Sequence, residues 1–183
     1  MRIGVPAEIK NNEHRVGLTP ESVYELCSVG LEVNIQSQAG SAIGFTDQDY
    51  QQAGATILFS ASDVYEASDL IVKVKEPLPE EFKFLSSDKT LFTYLHLAGN
   101  KSQAVELMNT GVTGIAYETV TSSDGSLPLL APMSKIAGQI SVVVGQYFLL
   151  KPNGGIGTIL GSCLLYTSPS PRDRTRSRMP SSA

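Results

Sequence analysis

Apolar residues along this chain recur with two alternating periods. Short runs rich in β-branched, aliphatic and aromatic side chains lie at Arg2–Val5, Leu31–Gln36, Ala55–Phe59, Ser68–Lys75, Thr90–Gly99 and Val112–Glu118, and each predicts a strand. Leu31–Gln36 alternates apolar with polar, whereas Leu70, Ile71, Val72 and Val74 form the near-continuous run of a central buried strand that Pro77 ends. Between the runs the spacing turns helical. Thr19 is placed to cap a helix that opens with Pro20 and runs to Val29, with Gly30 as its stop. Thr46 or Asp47 caps a short helix to Ala53, and further helices are predicted over Ser60–Glu66 and Lys101–Asn109. A last, longer helix spans Pro132–Leu150, with Ile136, Ile140, Val143, Val144 and Tyr147 covering more than one face. Strand and helix alternate throughout, which predicts an α/β fold with a doubly wound, mostly parallel, Rossmann-like sheet.

Composition narrows the class. The chain has 183 residues, 42% of them hydrophobic and 17% charged, as expected of a globular core rather than a disordered segment. A net charge of −4 with no basic patch gives nucleic-acid binding no support. No apolar run approaches membrane-span length, and the N-terminus lacks a signal-peptide pattern. Two cysteines, Cys27 and Cys163, make neither a disulfide framework nor a metal-ligand cluster, so a reducing, cytoplasmic setting is the default expectation and no metal is assigned.

The candidate chemistry sits at strand ends. In an open parallel sheet, ligands bind beyond the carboxyl ends of the strands. Glu8, Lys75, His96 and Glu118 each follow a predicted strand there. Any one of them alone, Glu118 especially, reads as a solvated loop charge, but the four together read as a site. The long polar loop Lys10–Arg15 between the first strand and helix adds Arg15. An arginine fork binds a carboxylate, a lysine polarises a neighbouring carbonyl or holds the same carboxylate, and a histidine passes protons near neutral pH. Together they suit a small 2-oxo or 2-amino acid.

The segments MRIGVPAEIKNNEHRVGLTP, IVKVKEP, TYLHLAGN, IAYETV and LPLLAPMSKIAGQ resemble the N-terminal part of the NAD-dependent alanine dehydrogenases, from Met1 to about Gly161. The resemblance implies reversible conversion of L-alanine, NAD and water to pyruvate, ammonium and NADH, a step of L-alanine catabolism, in a cytoplasmic homo-oligomer. By position it implies that Arg15 and Lys75 bind substrate, that His96 is the catalytic acid/base, and that Ser134 touches the nicotinamide cofactor with Met133 lining the pocket. The α subunit of nicotinamide nucleotide transhydrogenase is the nearest alternative. It shares the Arg-Val and Thr-Pro of the first loop but lacks the histidine, so Lys75-Glu-Pro with His96-Leu-Ala favours the dehydrogenase. A free-standing substrate-binding module is the third reading.

The Gly-rich stretch Gly154–Gly161 looks like a dinucleotide fingerprint, but Lys151-Pro152-Asn153 precedes it where a strand should stand. The expected organisation is therefore a substrate-binding catalytic domain over residues 1–131 and a connecting helix with a Gly-rich lead-in over 132–161. The nucleotide-binding domain is expected to be missing, together with a catalytic aspartate the family places there, and the chain to be inactive alone. From Cys163 onward the sequence carries four arginines and one acid among Ser and Pro. Cys163–Asp173 can be encoded by the transposase adapter ligated to DNA in sequencing libraries, so residues 162–183 are expected to be translated adapter and disordered.

Overall fold

The computed structural model describes residues 1–160; the expectation for residues 162–183 lies outside them. Six strands form one parallel sheet: β1 (Arg2–Val5), β2 (Glu32–Gln36), β3 (Thr56–Leu58), β4 (Leu70–Val72), β5 (Thr90–Thr93) and β6 (Thr113–Ala116). Their order across the sheet is β3-β2-β1-β4-β5-β6, with every neighbouring pair parallel. The chain winds outward from β1 to β3, returns to the middle, and winds out the other way. The reversal falls between β1 and β4, so the crevice of a doubly wound sheet opens beyond Val5 and Val72.

Helices α1 (Pro20–Ser28), α2 (Asp47–Gln52), α3 (Ala61–Ala67), α4 (Pro79–Phe82) and α5 (Lys101–Thr110) connect the strands. Thr19 caps α1 by accepting from the Ser22 N–H, and Pro20 opens the helix. Thr46 caps α2 through a reciprocal exchange with Asp49, which settles the choice between Thr46 and Asp47. The core lies in two layers. Ile3, Val5, Val33, Ile35 and Val72 pack with Val23 of α1 and Tyr50 of α2. Ile71, Leu91 and Leu95 pack with Tyr65 of α3 and Leu107 of α5.

Three expectations about strands need correction. Leu31–Gln36 does not alternate in burial, because β2 is an interior strand: Val33, Asn34 and Ile35 are all buried, and the Asn34 amide donates to Ser68 Oγ at 3.2 Å. The run Thr90–Gly99 is a strand only to Thr93, and Ser68–Lys75 only over Leu70–Val72. Lys75 and His96 thus stand on irregular backbone beyond their strands, which is where side chains and loops, rather than ladder partners, must satisfy the amides. The short helix α4 was not foreseen between Pro77 and Thr90.

The described chain divides into a compact unit of residues 1–132 and a second beginning at Met133. The helix α6 (Ala131–Leu149), all but its first two residues in the second unit, is followed by a single 3₁₀ turn at Lys151–Asn153. Among the described residues no helix is long and apolar enough to cross a membrane.

Candidate active site

The site is built on the carboxyl edge of the sheet, around the β1/β4 crevice. Glu8 follows β1, and its carboxylate turns across to β4: Oε1 accepts the N–H groups of Val74 at 2.6 Å and Lys75 at 3.1 Å. The Lys75 carbonyl accepts from Thr93 Oγ1 at 2.9 Å. Both backbone groups of Lys75 are therefore held, one from each neighbouring strand end, although no ladder reaches it.

Beneath Glu8 lies a charge that the sequence reading passed over. Lys73 has 0% exposure, and its Nζ sits 3.3 Å from Glu8 Oε2 and 2.7 Å from Glu81 Oε1. Glu81 also accepts from the Tyr65 hydroxyl at 2.9 Å and, through Oε2, from the Leu78 N–H at 2.9 Å. Burial first, and then the Glu81 carboxylate, push the Tyr65 hydroxyl far above its ordinary range, so it remains a donor. A cation inside the run Ile71-Val-Lys-Val-Lys75 could have been flagged from sequence, because a buried lysine needs an acid partner. What the sequence withheld was which acid: α4 brings Glu81 in, and nothing predicted α4.

Arg15 stands in the β1–α1 loop. Glu13 grips it from two residues away: Oε1 accepts from the Arg15 N–H at 3.0 Å and from Nε at 2.8 Å, and Oε2 from Nη2 at 2.6 Å. This grip holds the Glu13 carboxyl down at about 2, with the Lys75 charge assisting. Arg15 in turn feels Tyr94 and Glu8, so side chains from the ends of β1, β4 and β5 share one electrostatic neighbourhood. Gly17 lets this loop press on β4, since a Cβ there would lie 2.6 Å from the Val72 carbonyl oxygen. Lys10 pairs with Glu76 nearby.

His96 is exposed and carries a left-handed backbone, φ +48° and ψ +37°. Its N–H donates to Glu118 Oε1 at 2.7 Å, and the Leu95 N–H donates to Oε2 at 3.3 Å. Taken alone, Glu118 had read as a solvated loop acid. It is instead half-buried, with both oxygens engaged. Tyr117 sets it there: its ring meets Phe92 at 4.3 Å and Tyr94 at 4.9 Å between centroids, edge-on to both. Burial, with Tyr94 and Glu8 adding to it, pushes the Tyr117 hydroxyl up. The Tyr94 hydroxyl donates to the Leu129 carbonyl at 2.6 Å.

The structure thus gathers Glu8, Arg15, Lys75, His96 and Glu118 on one sheet edge. Ser134 and Met133 fall in the second unit, on the first turn of α6, where Ser134 is exposed and Met133 half-buried. The Gly-rich stretch is no phosphate cradle. Gly154 (φ +86°) returns its N–H to the Lys151 carbonyl, and the Gly155 and Gly157 N–H groups return to Leu150 and Leu149. These glycines close the carboxyl end of α6 rather than opening a helix after a strand. Among the described residues, no cluster of His, Cys, Asp or Glu is set to hold a metal ion.

Known proteins share this fold. The chain is 50% identical to the alanine dehydrogenase of Staphylococcus epidermidis over 161 residues, covering 88% of this chain and 43% of the relative. A solved L-alanine dehydrogenase superposes with a TM-score of 0.78 at 53% identity, over 88% of this chain and 45% of that one. A solved transhydrogenase from Sinorhizobium meliloti gives 0.60 at 30% identity, over 64% of this chain and 35% of that one. The chain thus spans less than half the length of these relatives. Residues 4–137 match the family described as "Alanine dehydrogenase/PNT, N-terminal domain", and the chain belongs to that family.

Proposed function

We propose that this chain supplies the substrate-binding, proton-handling half of an alanine dehydrogenase, which interconverts L-alanine and pyruvate. The observation that carries the reading is the placement of Arg15, Lys75 and His96 along the carboxyl edge of the sheet, after β1, β4 and β5, with the Lys75 backbone held on both sides. Arg15 takes the substrate carboxylate. A guanidinium offers five N–H donors, and Glu13 engages the Nε–Nη2 edge, which fixes the plane of the fork. Lys75 polarises the 2-oxo oxygen, and His96 delivers and removes the proton there.

NAD, implied by the resemblance, finds no phosphate cradle at Gly154–Gly157, because those glycines cap a helix end. The dinucleotide is proposed to lie mainly on chain other than the described residues, with Ser134 touching the nicotinamide and Met133 lining the pocket. The whole enzyme is proposed to be a homo-oligomer of the cytoplasm. The transhydrogenase-type reading has the likeness at a TM-score of 0.60 behind it and no part for His96.

The test grafts residues 1–160 onto the remaining chain of a complete alanine dehydrogenase relative. His96→Ala is expected to lower kcat roughly 10²–10⁴-fold with little change in KM, as for a general acid–base. Arg15→Ala acts mainly on KM for pyruvate, because a carboxylate clamp serves ground and transition states alike. Lys75→Ala damages both. A His96→Ala variant with near-full kcat at saturating pyruvate, beside an Arg15→Ala variant that has lost it, overturns these roles.

A further inference from the structure

We infer that Glu118 is a positioning residue for His96: its carboxylate fixes the backbone on which the imidazole stands. The inference rests on the reading of His96 as the proton carrier, and it adds a group that acts through the His96 backbone. β5 leaves the ladder after Thr93, so the next amides need other partners. In a strand, successive N–H groups point to opposite sides. One carboxylate can collect the Leu95 and His96 amides, at 3.3 and 2.7 Å, only where the chain bends sharply between them. His96, the second of these two anchored residues, is itself left-handed, a conformation that a residue with a Cβ seldom adopts without support. Glu118 supplies the support from below, and Gly99 leaves room above: a Cβ at Gly99 would lie 2.5 Å from both Cδ2 and Nε2 of the ring.

Two further observations favour positioning over direct proton transfer. Both Glu118 oxygens already accept backbone donors, so the carboxylate is spent on geometry. Glu8 repeats the device one strand over, collecting the successive amides of Val74 and Lys75. Each of the two strand ends that carries a candidate catalytic cation or imidazole is thus pinned by an acid from the adjacent strand end.

The test has two arms. In the 183-residue chain, Glu118→Gln is compared with the unaltered protein by hydrogen exchange resolved to single amides. Exchange at Leu95 and His96 is expected to speed up roughly 10- to 100-fold, the loss of a hydrogen bond to a charged acceptor, while β1 and β2 amides keep their protection. Unchanged protection at both positions overturns the inference. In the grafted enzyme, Glu118→Gln lowers kcat with KM for pyruvate nearly constant, and adding it to His96→Ala slows that variant no further. An equal loss in both backgrounds overturns the inference, because Glu118 would then act independently of His96. Should Glu118→Gln fail to fold, Glu118→Asp, with its shorter reach, carries the same comparison. If His96→Ala leaves kcat intact, the proton-carrier reading fails, and the exchange arm still decides whether Glu118 holds the bend.

Discussion

At the scale of single residues, the carboxylates of the site are tied to named partners. Glu13 is the clearest. Arg15 lowers its carboxyl from an ordinary 4.5 to about 2. A depressed carboxyl stabilises the fold above the unfolded value and loses that contribution as pH falls through the folded one, so the relevant window is about 4.5 down to about 2. Arg15→Ala is expected to return the Glu13 titration midpoint toward 4.5 and to shift its share of acid unfolding to higher pH. A ¹³C titration of the Glu13 carboxyl measures it; a midpoint still near 2 would mean another group holds the proton off. The carboxylate grip also explains how an exposed arginine on a long loop keeps one orientation, which a substrate clamp requires.

At the scale of elements, β4 and the loop after it are held by the buried Glu8–Lys73–Glu81 cluster. Removing one member of such a cluster leaves uncompensated buried charge and costs about 3–5 kcal/mol. Lys73→Met is expected to lower the urea midpoint accordingly, and a loss within experimental error would show that the acids find other partners. Neutralising both acids as well, by Glu8→Gln and Glu81→Gln, is expected to recover part of the loss. The helix α6 poses the opposite problem. Val143 and Phe148 are 70% and 62% exposed, with Ile136, Ile140, Val144 and Tyr147 also open. Apolar faces of this extent bind partners or self-associate in water. The 183-residue chain is expected to bind a hydrophobic dye and to associate with rising concentration. A dye-silent monomer at high concentration counts against an apolar docking role for α6.

At the scale of the whole molecule, the chain spans 43% of the length of the alanine dehydrogenase it matches at 50% identity. Hydride transfer needs a nicotinamide held against the substrate carbon, and Gly154–Gly157 close a helix end instead of cradling a phosphate. Purified 183-residue chain is therefore expected to show no pyruvate-dependent oxidation of NADH above the buffer rate. Steady turnover at an absorbance readily followed would contradict the division of labour proposed above. Addition of the remaining chain of a relative as a separate polypeptide is the natural next measurement on the same sample.

The alternation of apolar runs and helical spacing determined the α/β class and the parallel sheet, because a strand buried on both faces must be apolar and must reach its parallel neighbour through a crossover. Local capping chemistry at Thr19-Pro20 and Thr46-Asp49 was equally legible, since those bonds close within one helical turn. The short motifs also marked Arg15, Lys75 and His96 before any fold was drawn. Only the tertiary structure decided how these residues are held. Glu8 with Val74, Lys73 with Glu81, and Glu118 with His96 are contacts between separate elements, and the fold rather than local spacing brings them into register. The early end of β5 at Thr93 is of the same kind: the apolar pattern continues through Leu95, but the ladder stops where the Glu118 carboxylate takes over the amides.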